Sequence, residues 1–421
     1  MTSRTSSHGD LRSLVTDAGP GALDGIVVLD ITRVVAGPMC SMILADLGAT
    51  VVKVEHPVEV DYARDFPPLV RDDDGGSFSA FFTQFNRGKL GLTLDLGTDE
   101  GKDVLRGLVA RADVLVENFR AGTMARWGLG YDELSEINPR LVYTALSGYG
   151  QTGPYRGKPA YDNSAQASGG LWSMNGAPDG PPLRVGTIIG DLSATMYGAI
   201  GTLAALRHAE RTGQGQLVDV SQQDSVLSLT ENAVVSYTVD GTIVRPLGND
   251  HPFVRPYGLF PCRDGFVFFG GYTDKFWRLS CRIFGEPELA DDPRADTMAK
   301  RFTDDVYAAV VRPTVERWFA GRTKAELEEL AGDDVPLSAV KDIAEVVHDP
   351  QIAAREMVVE VEHPSYGRLR MAGSPLKLTA TPAEPRSWAP EVGEHSDQVL
   401  TALGGLSPGE VHDLRRKGVV G

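Results

Sequence analysis

A chain of 421 residues with 42% hydrophobic and 23% charged side chains has the balance of a soluble globular protein. It exceeds the roughly 250 to 300 residues at which one core stops growing, so two domains are expected. The net charge of −16 argues against nucleic acid as a partner, no apolar run approaches the ~20 residues of a membrane span, and three unclustered cysteines (Cys40, Cys262, Cys281) favour neither a disulfide framework nor a metal site and fit the cytoplasm.

In chain order, the polar segment 1–20 is expected to be a disordered tail. Leu23 to Asp30 reads as a buried parallel strand, followed by a helix from about Pro38 to Asp46 and a second strand from Thr50 to Glu55, a β-α-β unit. The connecting turn, Thr32-Arg33-Val34-Val35-Ala36-Gly37-Pro38, lacks GxGxxG, which removes the main support for a nicotinamide or flavin dehydrogenase. Further strands are expected at Leu90–Leu94, Asp113–Phe119, Leu141–Leu146 and Gln216–Val220, with a helix starting at Thr98. Phe119 and Arg126 offer a stacking ring and a bidentate cation for a nucleotide phosphate; a core ring and a solvated arginine are the alternative. The glycine-rich Ser147–Pro154 follows a strand end, where open α/β sheets bind ligands.

The expected layout is a large Rossmann-like open-sheet α/β domain over 21–225, a linker at 226–245, a small α+β domain over 246–345, and a return segment, 346–421, that completes the large domain. Asp264-Gly265 signals a hairpin in the small domain, and Met357 to Leu378 alternates as an antiparallel pair would.

One stretch stands out, Ile188 to Ile200. A glycine and a carboxylate, Gly190-Asp191, open a helix whose inner face is predicted at Leu192, Met196, Ala199, Ile200 and Leu203. Asp191 is placed at the N-cap, facing the positive end of the helix dipole and ionised at neutral pH. Gly190, Gly198 and Gly201 leave room there for another backbone or a thin ligand.

Taken together, Leu23-Asp24-Gly25, Ala36-Gly37-Pro38, Gly48 to Glu55, Glu117-Asn118-Phe119, Asn138-Pro139-Arg140, Gly148-Tyr149-Gly150, Gly190-Asp191, Gly213 to Gln216, His348-Asp349-Pro350 and Gly393-Glu394-His395 resemble the family III coenzyme A transferases. The resemblance runs from Leu23 to the C-terminus. It implies an interlocked homodimer, coenzyme A or acyl-CoA as substrate with no permanently bound cofactor, and a small carboxylic acid as second partner. Asp191 matches the family's nucleophile, which forms mixed-anhydride and aspartyl-CoA thioester intermediates. Val34 and Val35 match the turn bordering the thioester, Asn118, Phe119 and Arg126 match coenzyme A positions, and Tyr161 and Asp162 match the pocket. His56 stands where formyl-CoA transferase has an arginine, and Gly97 and Pro159 replace two lysines, leaving Arg33, Arg87 or Lys89 as phosphate candidates. Arg184, Arg245, His251 and Arg255 are candidates for holding a second carboxylate. The related racemases use a His-Asp pair where this chain has Tyr161-Asp162, and a tyrosine with a pKa of about 10 is a poor base, so transfer is favoured over racemisation. A silent CoA-binding scaffold is the remaining alternative.

Overall fold

The computed structural model describes residues 11, 13–15, 20–71, 75–363, 366–384 and 387–421. Six short, apolar segments form one parallel sheet: β1 (Val27–Asp30), β2 (Thr50–Glu55), β3 (Lys89–Thr93), β4 (Val114–Glu117), β5 (Val142–Ser147) and β6 (Gln216–Ser221). Their order is β3-β2-β1-β4-β5-β6. Strand order therefore reverses between β1 and β4, and the crevice beyond their carboxyl ends is where such sheets bind ligands.

Side chains alternate along β1, so Val27 and Leu29 enter one core and Val28 the other. The first core is closed by the C-terminal return, through Val399, Leu400, Leu403, Val411 and Val420. Leu11, inside the segment predicted to be a disordered tail, is buried in the same core; most of that segment lies outside the described residues. The second core holds α1 (Ala36–Asp46) and α3 (Ile189–Thr212) against the sheet; α2 (Asp162–Ser168) and α4 (Gln222–Ser228) are short helices beside α3.

The inner face of α3 matches the predicted one at Ala199, which is buried, and at Leu203, which packs against the second core, and differs elsewhere. Ala194, Gly198, Thr202, Ala205 and Ala209 are buried, while Met196, Tyr197 and Ile200 are exposed. Small residues let the helix sit close to the strands: a Cβ on Gly198 would stand 2.9 Å from Leu146, and one on Gly201 2.6 Å from Val218. These glycines thus admit neighbouring side chains and not a ligand.

The chain divides into two compact units, one containing Arg184–Val234 and Gln351–Gly421 with the segment up to Leu171, the other containing Trp172–Leu183 and Val235–Pro350. The predicted linker contains the helix Ala233–Asp240. Trp172–Leu183, expected in the large domain, belongs to the second unit, where the Gly248 N–H donates to the Gly176 carbonyl. That unit builds a three-stranded antiparallel sheet around Gly265–Phe269 and a core of Phe260, Phe269, Trp277, Trp318 and Phe319. The segment Val358–His363 pairs antiparallel with Gly367–Ala372, as its alternation predicts.

Candidate active site

The turn after β1 is clamped from below by buried ions. Lys89 donates to Asp30 at 2.7 Å, and Lys53 donates to the Thr32 carbonyl at 3.0 Å and lies 3.3 Å from Asp61, all four side chains being inaccessible. Burial alone raises the Asp30 carboxyl, but Lys89 and Lys53 outweigh it and hold the group well below the usual range. Asp61 also accepts from the Val34 N–H at 2.9 Å, fixing a β-branched residue at φ 70°, a conformation that costs energy and persists only where its surroundings enforce it. Asn118, at the end of β4, closes the clamp by accepting from the Arg33 N–H at 2.9 Å and donating to the Arg33 carbonyl at 2.8 Å. Its amide joins two strand ends across the switch point.

This turn forms one wall of a cavity of about 200 Å³ lined by Val34, Val35, Ala36, Tyr62, Phe119, Ser147, Gly148, Tyr161, Asp191 and Gln222, among others. Asp191 sits at the third position of α3, whose N-cap is Ile188, and not at the N-cap. The capping carboxylate is Asp162, which is buried and accepts from the Gly190 N–H at 2.7 Å and from Gln166 at 2.8 Å. A Cβ on residue 190 would stand 2.9 Å from that carboxylate oxygen, so glycine is required. Asp162 is therefore a brace behind the cavity and does not line it. Asp191 departs from expectation in charge as well: burial, then the neighbouring Asp162, push its pKa to about 7, with the Gln222 hydrogen bond opposing them. Desolvation and a like charge outweigh the helix dipole.

Gln222, the first residue of α4, donates its Nε2 to Asp191 Oδ1. Sequence reasoning missed it, although it follows the carboxyl end of β6, where strand-end logic would have placed a functional group. Tyr62, carried on a one-turn helix in the loop after β2, was also missed and has no comparable signal.

A second cavity, of about 400 Å³, shares Arg33 and Phe119 with the first and extends along His56, Leu94, Leu96, Gly97, Thr123 and Trp127. Phe119 meets Trp127 edge to face at 5.3 Å. His56 accepts from the Val58 and Glu59 N–H groups and lies 3.4 Å from Asp95. Arg126 does not line the cavity; its guanidinium is exposed and donates to the Oγ1 of Thr123, which does. Two of the three phosphate candidates are withdrawn, because Arg87 is buried against Asp46 and Lys89 against Asp30. Arg33 remains. Of the candidates for a second carboxylate, Arg255 pairs with Asp304, His251 accepts from the backbone of Phe253 and Val254, and Arg184 donates to the carbonyls of Val185 and Gly186.

Residues 23–396 match the model of CoA-transferase family III. The chain belongs to that family. As a family III CoA-transferase it is 42% identical over 391 residues to a succinyl-CoA:mesaconate CoA-transferase of Haloarcula hispanica, covering 91% of this chain and 97% of the relative. It is 35% identical over 403 residues to a succinyl-CoA–D-citramalate CoA-transferase of Chloroflexus aurantiacus, covering 95% and 98%. Among solved structures it is similar to a CaiB/BaiF family protein from Brucella suis, with a TM-score of 0.81, 32% identity, and coverage of 91% of this chain and all of that one. Membership of the family and these relatives make the chain a CoA-transferase.

Replacing Asp162→Asn removes the like charge while leaving an oxygen for the Gly190 N–H. Asp191, followed by carbon-13 NMR of labelled aspartate, is expected to titrate below about 7 in this variant; a midpoint unmoved or higher would contradict the electrostatic account.

Proposed function

We propose that this enzyme carries coenzyme A from a dicarboxylic acyl thioester of the succinyl type to a small dicarboxylic acid, through covalent intermediates on Asp191. The observation that carries the reading is the placement of one partly buried carboxyl in the smaller cavity, beside the larger one at the sheet's switch point. The larger cavity suits the nucleotide end of coenzyme A, with Phe119 and Trp127 as apolar walls and Arg33 as a cation. The smaller one suits the thioester. There the first turn of α1 starts at Ala36 without a side-chain cap, so its N–H groups are suited to an oxyanion. The succinyl donors and dicarboxylic acceptors in the relatives' names support the substrate class.

Chemistry at Asp191 follows from its environment. A desolvated carboxylate is a stronger base and nucleophile than one in water, and a pKa about 7 leaves roughly half of it ionised at neutral pH. Racemisation asks for a second base across the substrate's α-carbon. The described residues lining this cavity include no histidine and no other carboxylate, and burial raises the Tyr62 phenol further.

The assembly we infer is a homodimer, which would cover the exposed Met196, Tyr197 and Ile200 on α3; sedimentation at twice the chain mass is expected, and a monomer would contradict it. The free cysteines fit the cytoplasm.

Asp191→Asn tests the function. CoA transfer between succinyl-CoA and mesaconate or citramalate is expected to fall to background, and wild-type kcat/KM to drop about tenfold per pH unit below about pH 7, as the nucleophile protonates. Stability moves the other way. The raised pKa means that between about pH 4 and 7 the folded state keeps a proton the unfolded chain has lost, so stability falls as pH rises through that window. Asp191→Asn is therefore expected to be more stable than wild type at pH 8, by about 1–3 kcal/mol, and equal at pH 4. Retained transfer, or a variant less stable at pH 8, would contradict the assignment.

A further inference from the structure

Asp191 has two oxygens in different surroundings. Oδ1 accepts from the Gln222 amide, whereas no hydrogen bond to Oδ2 is found among the described residues. Gln222 is itself placed firmly: it begins α4, whose cap is the Ser221 hydroxyl, and the next residue's N–H donates to the Gly148 carbonyl at 3.1 Å. Gln222 is 8% exposed and lines the same cavity as Asp191.

We propose that Gln222 assigns the two oxygens fixed roles, Oδ2 as the attacking atom and Oδ1 as the atom that stays, and that its N–H stabilises the charge that forms on Oδ1. The inference rests on covalent chemistry at Asp191 and adds a residue to it. Oδ2 attacks the acyl carbon of the donor, the carbon–sulfur bond breaks, and coenzyme A leaves as thiolate. The thiolate then attacks Asp191 Cγ, negative charge collects on Oδ1 beside the Gln222 amide, and the Cγ–Oδ2 bond breaks, releasing the donor acid with Oδ2 in it. The acceptor carboxylate attacks Cγ in turn, again placing charge on Oδ1, and expels the thiolate. Finally the thiolate attacks the acceptor's acyl carbon and leaves the acceptor's oxygen behind on Asp191. No external oxidant, reductant or proton is needed, and one oxygen of Asp191 is replaced per cycle.

Isotope labelling and the kinetics of one variant read this together. Wild-type enzyme given succinyl-CoA and fully ¹⁸O-labelled succinate for a single turnover is expected to carry one heavy oxygen in the Asp191 peptide. Gln222→Met keeps the side-chain length and removes the donor. The same variant is expected to lose on the order of 10²-fold in kcat, the effect of one oxyanion donor, with KM for the acyl-CoA within about twofold and the acid limb of kcat/KM moved to higher pH. A Gln222→Met variant with the wild-type kcat would overturn the role of Gln222 while leaving Asp191 as nucleophile. A wild-type enzyme that exchanges succinate with Asp191 unlabelled would overturn both. Loss of activity in Gln222→Met accompanied by a lower melting temperature and an unmoved acid limb would mark a structural role and also overturn the inference.

Discussion

The feature on which the rest depends is a carboxylate pair at the first turn of α3. Asp162 reaches in from α2 to accept the Gly190 N–H, and in doing so brings its own charge close to Asp191. Each contact supports the other. The helix start is completed by a residue from outside the helix, which leaves Asp191 unneeded as a cap and available to the cavity. A glycine at 190 is the condition for this, since any side chain would meet the Asp162 oxygen. The arrangement stores electrostatic cost in the folded state and holds the proton affinity of Asp191 close to neutral pH, the trade of stability for activity that the proposed chemistry asks for.

Rigidity on the opposite wall comes from different physics. The Val34 backbone is held at a positive φ by Asp61, Lys53 and the Asn118 amide, and the ions responsible are fully buried. Removing one partner of such a pair leaves an uncompensated charge, which is why these residues are better understood as a frame for the turn than as groups that meet a ligand. Arg87 and Lys89 illustrate the point, because sequence alone could not tell a phosphate-binding cation from one that neutralises a buried aspartate.

Much of the fold was legible because parallel strands buried on both faces read as short runs of Val, Ile and Leu, and because Gly48 and Gly213 mark helix ends. The inner face of α3 was legible only in part, since a helix packed tightly on a sheet buries Ala, Gly and Thr, and Met196, Tyr197 and Ile200 are left exposed. Trp172–Leu183 groups with the second unit, where the Gly176 carbonyl accepts from the Gly248 N–H, a residue distant in sequence that no local pattern points to. At the candidate site, the helix start at Gly190-Asp191 and the ring of Phe119 at a strand end were legible from the pattern, whereas the roles of Asp191 and of the Val34–Val35 turn came from the family resemblance. The depressed acidity of Asp191, the bracing roles of Asp162 and Asn118, and the Gln222 contact depend on long-range proximity that no local pattern encodes.

The central claim is that Asp191 becomes covalently acylated. Its most direct test is to mix the enzyme with succinyl-CoA, quench with borohydride, and map the reduced residue by mass spectrometry. Conversion of Asp191 to homoserine is the result the account requires; an unmodified Asp191 in enzyme shown to be turning over, or reduction at any other carboxylate, would contradict it.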